Sequence, residues 1–269
     1  MPIPAQIYER RRRIDRRRSE PHPISEDLAE ALNEDALHIL FQPQFTSSDG
    51  ALAGAEALAR WDHPEHGLLA GDSLVAIAQS GGITRRLARH IARAALATAA
   101  DWPESLRLSL NVTAMDLFDR TFGEDLLAML AESGFPAERL TLEITEQALV
   151  ADLDRSAERL RSLAAHGIRI ALDDFGAGFC NFRYLKVLPL HALKLDRSMI
   201  DGVASDARDL AVLRGIVAMA KALDISVIAE GVETSAQRDV VTAEGCAVWQ
   251  GYLGGRPMSV RRLVALAES

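Results

Sequence analysis

Cysteine is almost missing from this chain of 269 residues: only Cys180 and Cys246 occur, far apart in sequence. They make no metal-ligand spacing and read as reduced thiols rather than a disulfide, which fits a cytoplasmic setting. Long apolar runs are missing too. None approaches the length of a membrane span, and no signal-peptide core follows the N-terminus, so neither insertion nor secretion is expected. Nor does a glycine-rich fingerprint follow the first expected strand, which leaves a doubly wound dinucleotide-binding sheet as the weaker alternative. What the chain does have is 48% hydrophobic residues, enough for a substantial core in one large α/β domain or two smaller ones.

Charge is unevenly spread. The first twenty residues hold seven arginines against Glu9, Asp15 and Glu20, a surplus of four positive charges. The other 249 residues hold 23 basic and 35 acidic groups, so the net charge of −8 hides a strongly acidic body. A basic arm is able to meet nucleic acid or a membrane surface. This one lacks interleaved aromatics, and reads better as a solvated helical linker over residues 1–23, with no nucleic-acid partner expected. Pro21 and Pro23 mark its boundary with a folded part over residues 24–269.

Within that part, Ser25 is a plausible N-cap for a short helix carrying Leu28, Ala31 and Leu32. Leu37 to Phe45 reads as a strand, Ser47 to Gly50 as a turn, and Leu52 as the start of an antiparallel partner. Trp61 to Gly71 reads as a loop. From Asp72 to Ala100 two helices are expected, split at Gly81-Gly82. Met115, Phe118, Phe122, Leu126 and Met129 then recur at three to four residues, as one core-facing helix would require. Leu149 to Leu163 and Leu210 to Leu223 repeat the pattern, and Thr234 with Gln237 forms a capping box. Eight strands in βα alternation fit an α/β fold, a modified TIM-type (β/α)8 barrel with an antiparallel first strand.

The strand ends share one chemistry. The run Ile168 to Leu172 ends in Asp173-Asp174, whose side chains are expected to diverge, since successive strand residues point opposite ways. Others end in Glu56, Asn111, Glu143, Glu230 and Gln250, and one strand carries Lys194. A single acidic pair at a strand end is usually no more than a solvated turn. In a barrel, however, all these ends meet on one rim, where such folds place their sites. Glu56, Asn111, Glu143 and Asp173 are hard oxygen donors suited to Mg²⁺ or Mn²⁺. Without a cation they would repel one another and raise one another's pKa. Lys194 adds a fixed positive charge. Together these residues point to metal-assisted hydrolysis of an anionic phosphate ester.

Ala55-Glu56-Ala57-Leu58-Ala59-Arg60-Trp61 resembles the signature of the EAL-domain cyclic di-GMP phosphodiesterases. So do Phe41-Gln42-Pro43, Asn111-Val112-Thr113, Glu143-Ile144-Thr145-Glu146, Asp173-Asp174-Phe175-Gly176, Lys194-Leu195-Asp196, Ala229-Glu230-Gly231-Val232-Glu233-Thr234 and Gln250-Gly251-Tyr252, in order from about residue 37 to 258. The resemblance implies hydrolysis of cyclic di-GMP to linear 5′-pGpG with two Mg²⁺ or Mn²⁺ ions. Glu56, Asn111, Glu143 and Asp173 would hold one ion, and Asp173 would bridge to a second shared with Asp174 and Glu233. Lys194 would orient the attacking water and Glu230 would serve as general base. Gln42, Leu58, Arg60, Asp196 and Gln250, with Glu56 and Asn111, would meet the substrate. Glu146 would steady the loop after Asp174, and a homodimer would form near that loop. An upstream sensory domain or partner protein is a further implication.

The chain departs from the family pattern mainly in Ala177-Gly178-Phe179-Cys180-Asn181, where the family carries hydroxyl residues and a tyrosine. Gly71 stands where a proline is usual, and His191, where an acid is usual, reads as a packing residue. The altered loop is the feature that favours the alternative reading, a catalytically weak or inactive receptor for cyclic di-GMP that signals through a partner.

Overall fold

Residues 23–149, 152–178 and 182–268 are described by a computed structural model. Residues 1–22 of the expected basic arm and the positions Phe179, Cys180 and Asn181 lie outside the described residues.

The N-terminal helix α1 (Pro23–Asn33) buries Ile24, Leu28, Ala31 and Leu32. Ser25 lies inside it rather than capping it, and packs so near Gly81 that a Cβ there would come 2.6 Å from Ser25 Cβ. With Leu37, Ala59, Trp61, Leu74, Ala78 and Leu87, these side chains make a small core of their own. His63 fastens it. Its Nδ1 accepts the backbone N–H groups of Glu65 and His66, and its Nε2 lies 3.2 Å from the Asp27 carboxylate.

Strand β1 (His38–Thr46) pairs antiparallel with β2 (Leu52–His63), placing Gln42 opposite Glu56. The expected loop from Trp61 to Gly71 is instead a hairpin. β2 runs on through Trp61 and His63, and β3 (Gly67–Ala70) folds back along it. Burial of Trp61 and His63 in the small core keeps this stretch extended despite its turn-forming composition. Gly71, where the resemblance would put a proline, has φ of 41°, which proline's ring forbids. Helices α2 (Gly71–Ser80) and α3 (Thr84–Ala99) follow, divided at Gly81-Gly82.

From β4 (Arg107–Val112) the sheet is parallel: β5 (Leu140–Thr145), β6 (Arg169–Phe175), β7 (Ala192–Leu195), β8 (Ser226–Ala229) and β9 (Val248–Gln250). Between them come α4 (Ala114–Phe118), α5 (Phe122–Ser133), α6 (Glu146–Leu149), α7 (Leu153–Ala164), α8 (Arg183–Val187), α9 (Ala207–Ala222) and α10 (Ser235–Glu244). The last helix is α11 (Val260–Ala267). The apolar series from Met115 to Met129 is therefore two helices, not one. α4 ends at Asp119, whose backbone is extended, and Arg159 donates to the Leu117 and Asp119 carbonyls freed there. The expected capping box of Thr234 with Gln237 is made, and a second, not anticipated from the sequence, joins Thr113 to Asp116.

β1 pairs with β9 as well as β2, so eight strands close into a ring, and β3 hangs on β2 outside it. Side-chain alternation then divides the core in two. Leu108, Leu110, Leu142, Ile144, Ile170, Leu172, Leu193, Leu195 and Val227 face the helices in one large cluster. Ala171, Ala192 and Ile228, with Val248 against them, form a small separate plug inside the ring. Above the plug the inward positions are polar.

Candidate metal centre and catalytic rim

Parallel register sets the inward layer above the plug. Asn111 pairs with Glu143, Thr145 with Asp173, and Glu56 with Ser109, so acids from neighbouring strands face one interior. Lys194, two residues after Ala192 of the plug, rises into their midst and is only 1% exposed. Its Nζ lies 2.6 Å from Glu143 Oε2, 2.7 Å from Glu230 Oε1, 3.1 Å from Asp173 Oδ1 and 3.7 Å from Glu56 Oε2. A buried ammonium is stable only with such partners. Four carboxylates around one ammonium nevertheless leave excess negative charge in a buried place.

A chain of amides handles part of that excess. Asn111 Nδ2 donates to Glu56 Oε1 at 2.7 Å, and Gln250 Nε2 donates to Glu56 Oε2 at 2.7 Å. Gln44 Nε2 donates in turn to Gln250 Oε1 at 2.9 Å. Because a carboxylate only accepts, Asn111 must turn its carbonyl oxygen away from Glu56. Burial alone would raise the Glu56 pKa, but Lys194 and these two amides hold it below the usual value. Glu143 goes the other way. Burial, only partly offset by Lys194 and reinforced by Glu56, Asp173 and Glu230, holds it well above the usual value. Glu230 is pushed up to about 7 by burial, against Lys194, with Asp173 and Glu56 adding to the rise. Burial would also lower the Lys194 pKa, yet Glu143, Glu56, Glu230 and Asp173 together hold it well above normal.

Asp173 and Asp174 do not diverge. Leu172 pairs with Leu193 but Phe175 with Leu195, so β6 carries one extra residue in a bulge. Asp174 takes a left-handed backbone (φ 55°), and its N–H donates to Asp173 Oδ1 at 2.9 Å. The bulge brings both carboxylates back to one rim, where oxygens of Asp173, Asp174 and Glu230 lie within 4.8 Å of one another. Burial and then Asp173 raise the Asp174 pKa.

These residues open into a cavity of about 280 Å³ lined by Gln42, Glu56, Leu58, Asp173, Asp174, Lys194, Asp196, Arg197, Glu230, Gly231 and Gln250. Asp196 accepts from the Ser198 N–H at 3.0 Å and stands on the wall. Two expected residues are placed differently. Arg60 is half-buried with its Nη1 on the Ala59 carbonyl at 2.8 Å, outside the cavity lining. Glu233 is exposed and paired with Arg197 Nη1 at 2.9 Å, apart from the acidic triplet. Glu146, expected to steady the loop after Asp174 rather than to line the cavity, begins α6 directly after β5. Sequence reading missed Arg197 and Gln44. Gln44 was available from strand alternation, being two residues from Gln42 on the same face. Arg197 had no pattern to announce it.

A divalent cation fits this donor set. Glu143 Oε1 is buried and has no hydrogen-bond partner among the described residues. Such an oxygen is costly to leave bare, and it sits among three further carboxylates and an outward-turned amide oxygen. The EAL domain family profile matches residues 25–257. The chain belongs to the EAL domain family. The phosphodiesterase MucR of Pseudomonas aeruginosa, a bifunctional diguanylate cyclase/cyclic di-GMP phosphodiesterase, is 34% identical over 243 residues, 89% of this chain and 36% of that protein. The cyclic di-GMP phosphodiesterase NbdA of the same organism is 35% identical over 244 residues, 89% of this chain and 31% of that one. The EAL domain thus spans about a third of these relatives. A MucR phosphodiesterase structure in complex with cyclic di-GMP superposes with a TM-score of 0.82 at 33% identity, covering 88% of this chain and 98% of that one. The EAL enzyme Bd1971, bound to cAMP and cyclic di-GMP, gives 0.85 at 26% identity, covering 91% of this chain and 68% of that one. In its barrel and antiparallel first strand this EAL domain agrees with both.

Proposed function

We propose that this EAL domain hydrolyses one phosphodiester of cyclic di-GMP to linear 5′-pGpG in a reaction that depends on Mg²⁺ or Mn²⁺. The observation that carries this is the buried, unpartnered Glu143 Oε1 in one acidic cluster with Glu56, Asp173 and Glu230, next to the Asp173, Asp174 and Glu230 oxygens that lie within 4.8 Å of one another. Glu56, Asn111, Glu143 and Asp173 would hold one ion, and Asp173 and Asp174 part of a second. Bound there, the ions would neutralise phosphoryl charge and acidify a water.

The protein's own groups supply the rest. Glu230 lines the cavity with its Oε1 held 2.7 Å from Lys194 Nζ, and would take the proton from the attacking water. Lys194 fixes Glu230 and Glu143 by direct contacts and is permanently charged. As the water oxygen bonds to phosphorus and its proton passes to Glu230, the bond from phosphorus to the 3′-oxygen breaks and that oxygen takes up a proton from solvent, leaving a 5′-phosphate and a 3′-hydroxyl. Gln42, Leu58, Asp196 and Gln250 line the space the substrate would fill. Chromatography of cyclic di-GMP incubated with protein and either ion tests the reading. Conversion to pGpG is expected from wild type and not from Glu143→Ala or Asp173→Asn. Binding without cleavage under any metal would favour the receptor reading instead.

A further inference from the structure

Glu233 is the residue that fits its expected role least. As a second-ion ligand it should stand with Asp173 and Asp174, yet among the described residues those two cluster with Glu230 alone. Glu233 is held instead by Arg197, whose Nη1 is 2.9 Å from its Oε1. The same guanidinium reaches Asp201 through Nε at 3.2 Å, so Arg197 is anchored at two points. Its stem is fixed as well. Gly231 has φ of 67°, and a Cβ at that position would come 2.5 Å from Arg197 Cγ. The turn after β8 thus leaves room for this one side chain to cross from the end of β7 to Glu233. Arg197 also lines the cavity, so the pair stands at the edge of the acidic cluster.

The two expected ion sites are therefore unequal. The first has its ligands assembled on rigid strands, with a buried oxygen already bare. The second has Asp174 in place but lacks Glu233, whose charge is met by Arg197. A divalent cation attracts a carboxylate more strongly than a guanidinium does, and hard cations favour oxygen ligands. Exposed ion pairs are individually weak, so a cation is able to displace the guanidinium.

We propose that Arg197 is a clamp on Glu233 that a second divalent cation must displace, so that the two ion sites fill in order. The clamp rests on the metal-dependent reading above. It makes Arg197 a positioning residue that acts through Glu233.

Titration with Mn²⁺, followed by electron paramagnetic resonance and calorimetry, tests this without relying on turnover. Wild type is expected to bind one ion tightly and a second more weakly. In Arg197→Gln the second ion should bind about three- to tenfold tighter while the first is unchanged. The first ion thereby reports that the fold is intact. In a Glu233→Gln background the same change at Arg197 should bring no gain, because the clamped group is gone. If Arg197→Gln leaves the second ion unchanged, or tightens it equally when Glu233 is already replaced, the clamp is wrong and the metal centre stands. If wild type binds no Mn²⁺, the metal centre falls and takes the clamp with it.

Discussion

Lys194 and Glu230 show how much one side chain decides here. Replacing Lys194 by Met would leave Glu56, Glu143, Asp173 and Glu230 facing one another with no cation. Removing one partner of a buried ionic cluster typically costs about 3–5 kcal/mol. Urea unfolding of Lys194→Met with chelator should show a loss of that order, with part of it recovered on adding Mn²⁺. Glu230 gives a pH signature. Its folded pKa of about 7 lies above the ordinary 4.5, so between those values the folded state holds a proton the unfolded state has released. Stability contributed by this group is therefore full below about pH 4.5 and lost as pH rises towards 7. In metal-free protein, Glu230→Gln should flatten the fall in melting temperature between pH 5 and 7 and melt higher than wild type at pH 8. An unchanged slope would remove Glu230 as its source. Most of this cluster was legible in the sequence because its members are strand ends, and alternation gives their direction. The Asp173–Asp174 geometry was not, because the bulge lies in the pairing with β7 and no local signal in β6 announces it. Arg197 and Glu233 were not paired either, since their contact joins two loops.

At the level of elements, the bulge in β6 and helix α1 carry separate duties. The left-handed backbone at Asp174 suits Asp or Asn, whereas a β-branched residue is strained there. Asp174→Asn should keep the melting temperature and lose hydrolysis, while Asp174→Val should lose both, with about 1–2 kcal/mol of destabilisation from the backbone. Equal stability of the two variants would show that the turn is not under strain. Helix α1 holds no site residue, and Leu28 in it is fully buried in the small core. Leu28→Ala should cost about 2–5 kcal/mol by denaturant titration while leaving the rate of cyclic di-GMP hydrolysis near wild type in the folded fraction. The sequence disclosed α1 through the spacing of Leu28, Ala31 and Leu32. It concealed β3, because Pro64, His66 and Gly67 are turn formers, and only the burial of Trp61 and His63 explains why the backbone stays extended there. The break between α4 and α5 was hidden for the opposite reason, since apolar spacing runs unbroken across a polar junction.

For the molecule as a whole, the acid-rich rim and the sheet that bears it are one construction. Adding Mn²⁺ to metal-free protein should raise its melting temperature and release protons near neutral pH, because Glu230, pushed up to about 7, is partly protonated there and a cation favours its charged form. Calorimetry in two buffers of different ionisation enthalpy would measure that release; binding with no proton release would mean that Glu230 is ionised beforehand. The closure of the ring has a different consequence, one of timing. β1 meets β9 through Gln44 and Gln250, residues 206 positions apart, and the hydrogen bond that Gln44 Nε2 donates to Gln250 Oε1 also steers Gln250 onto Glu56. During synthesis β1 emerges early, but its second edge has no partner until the last strand has been made. Before that contact forms, an open sheet would leave backbone unpaired at both edges, and so long-range a closure is expected to slow folding. The contact that shuts the barrel is therefore also the one that completes the amide chain onto Glu56.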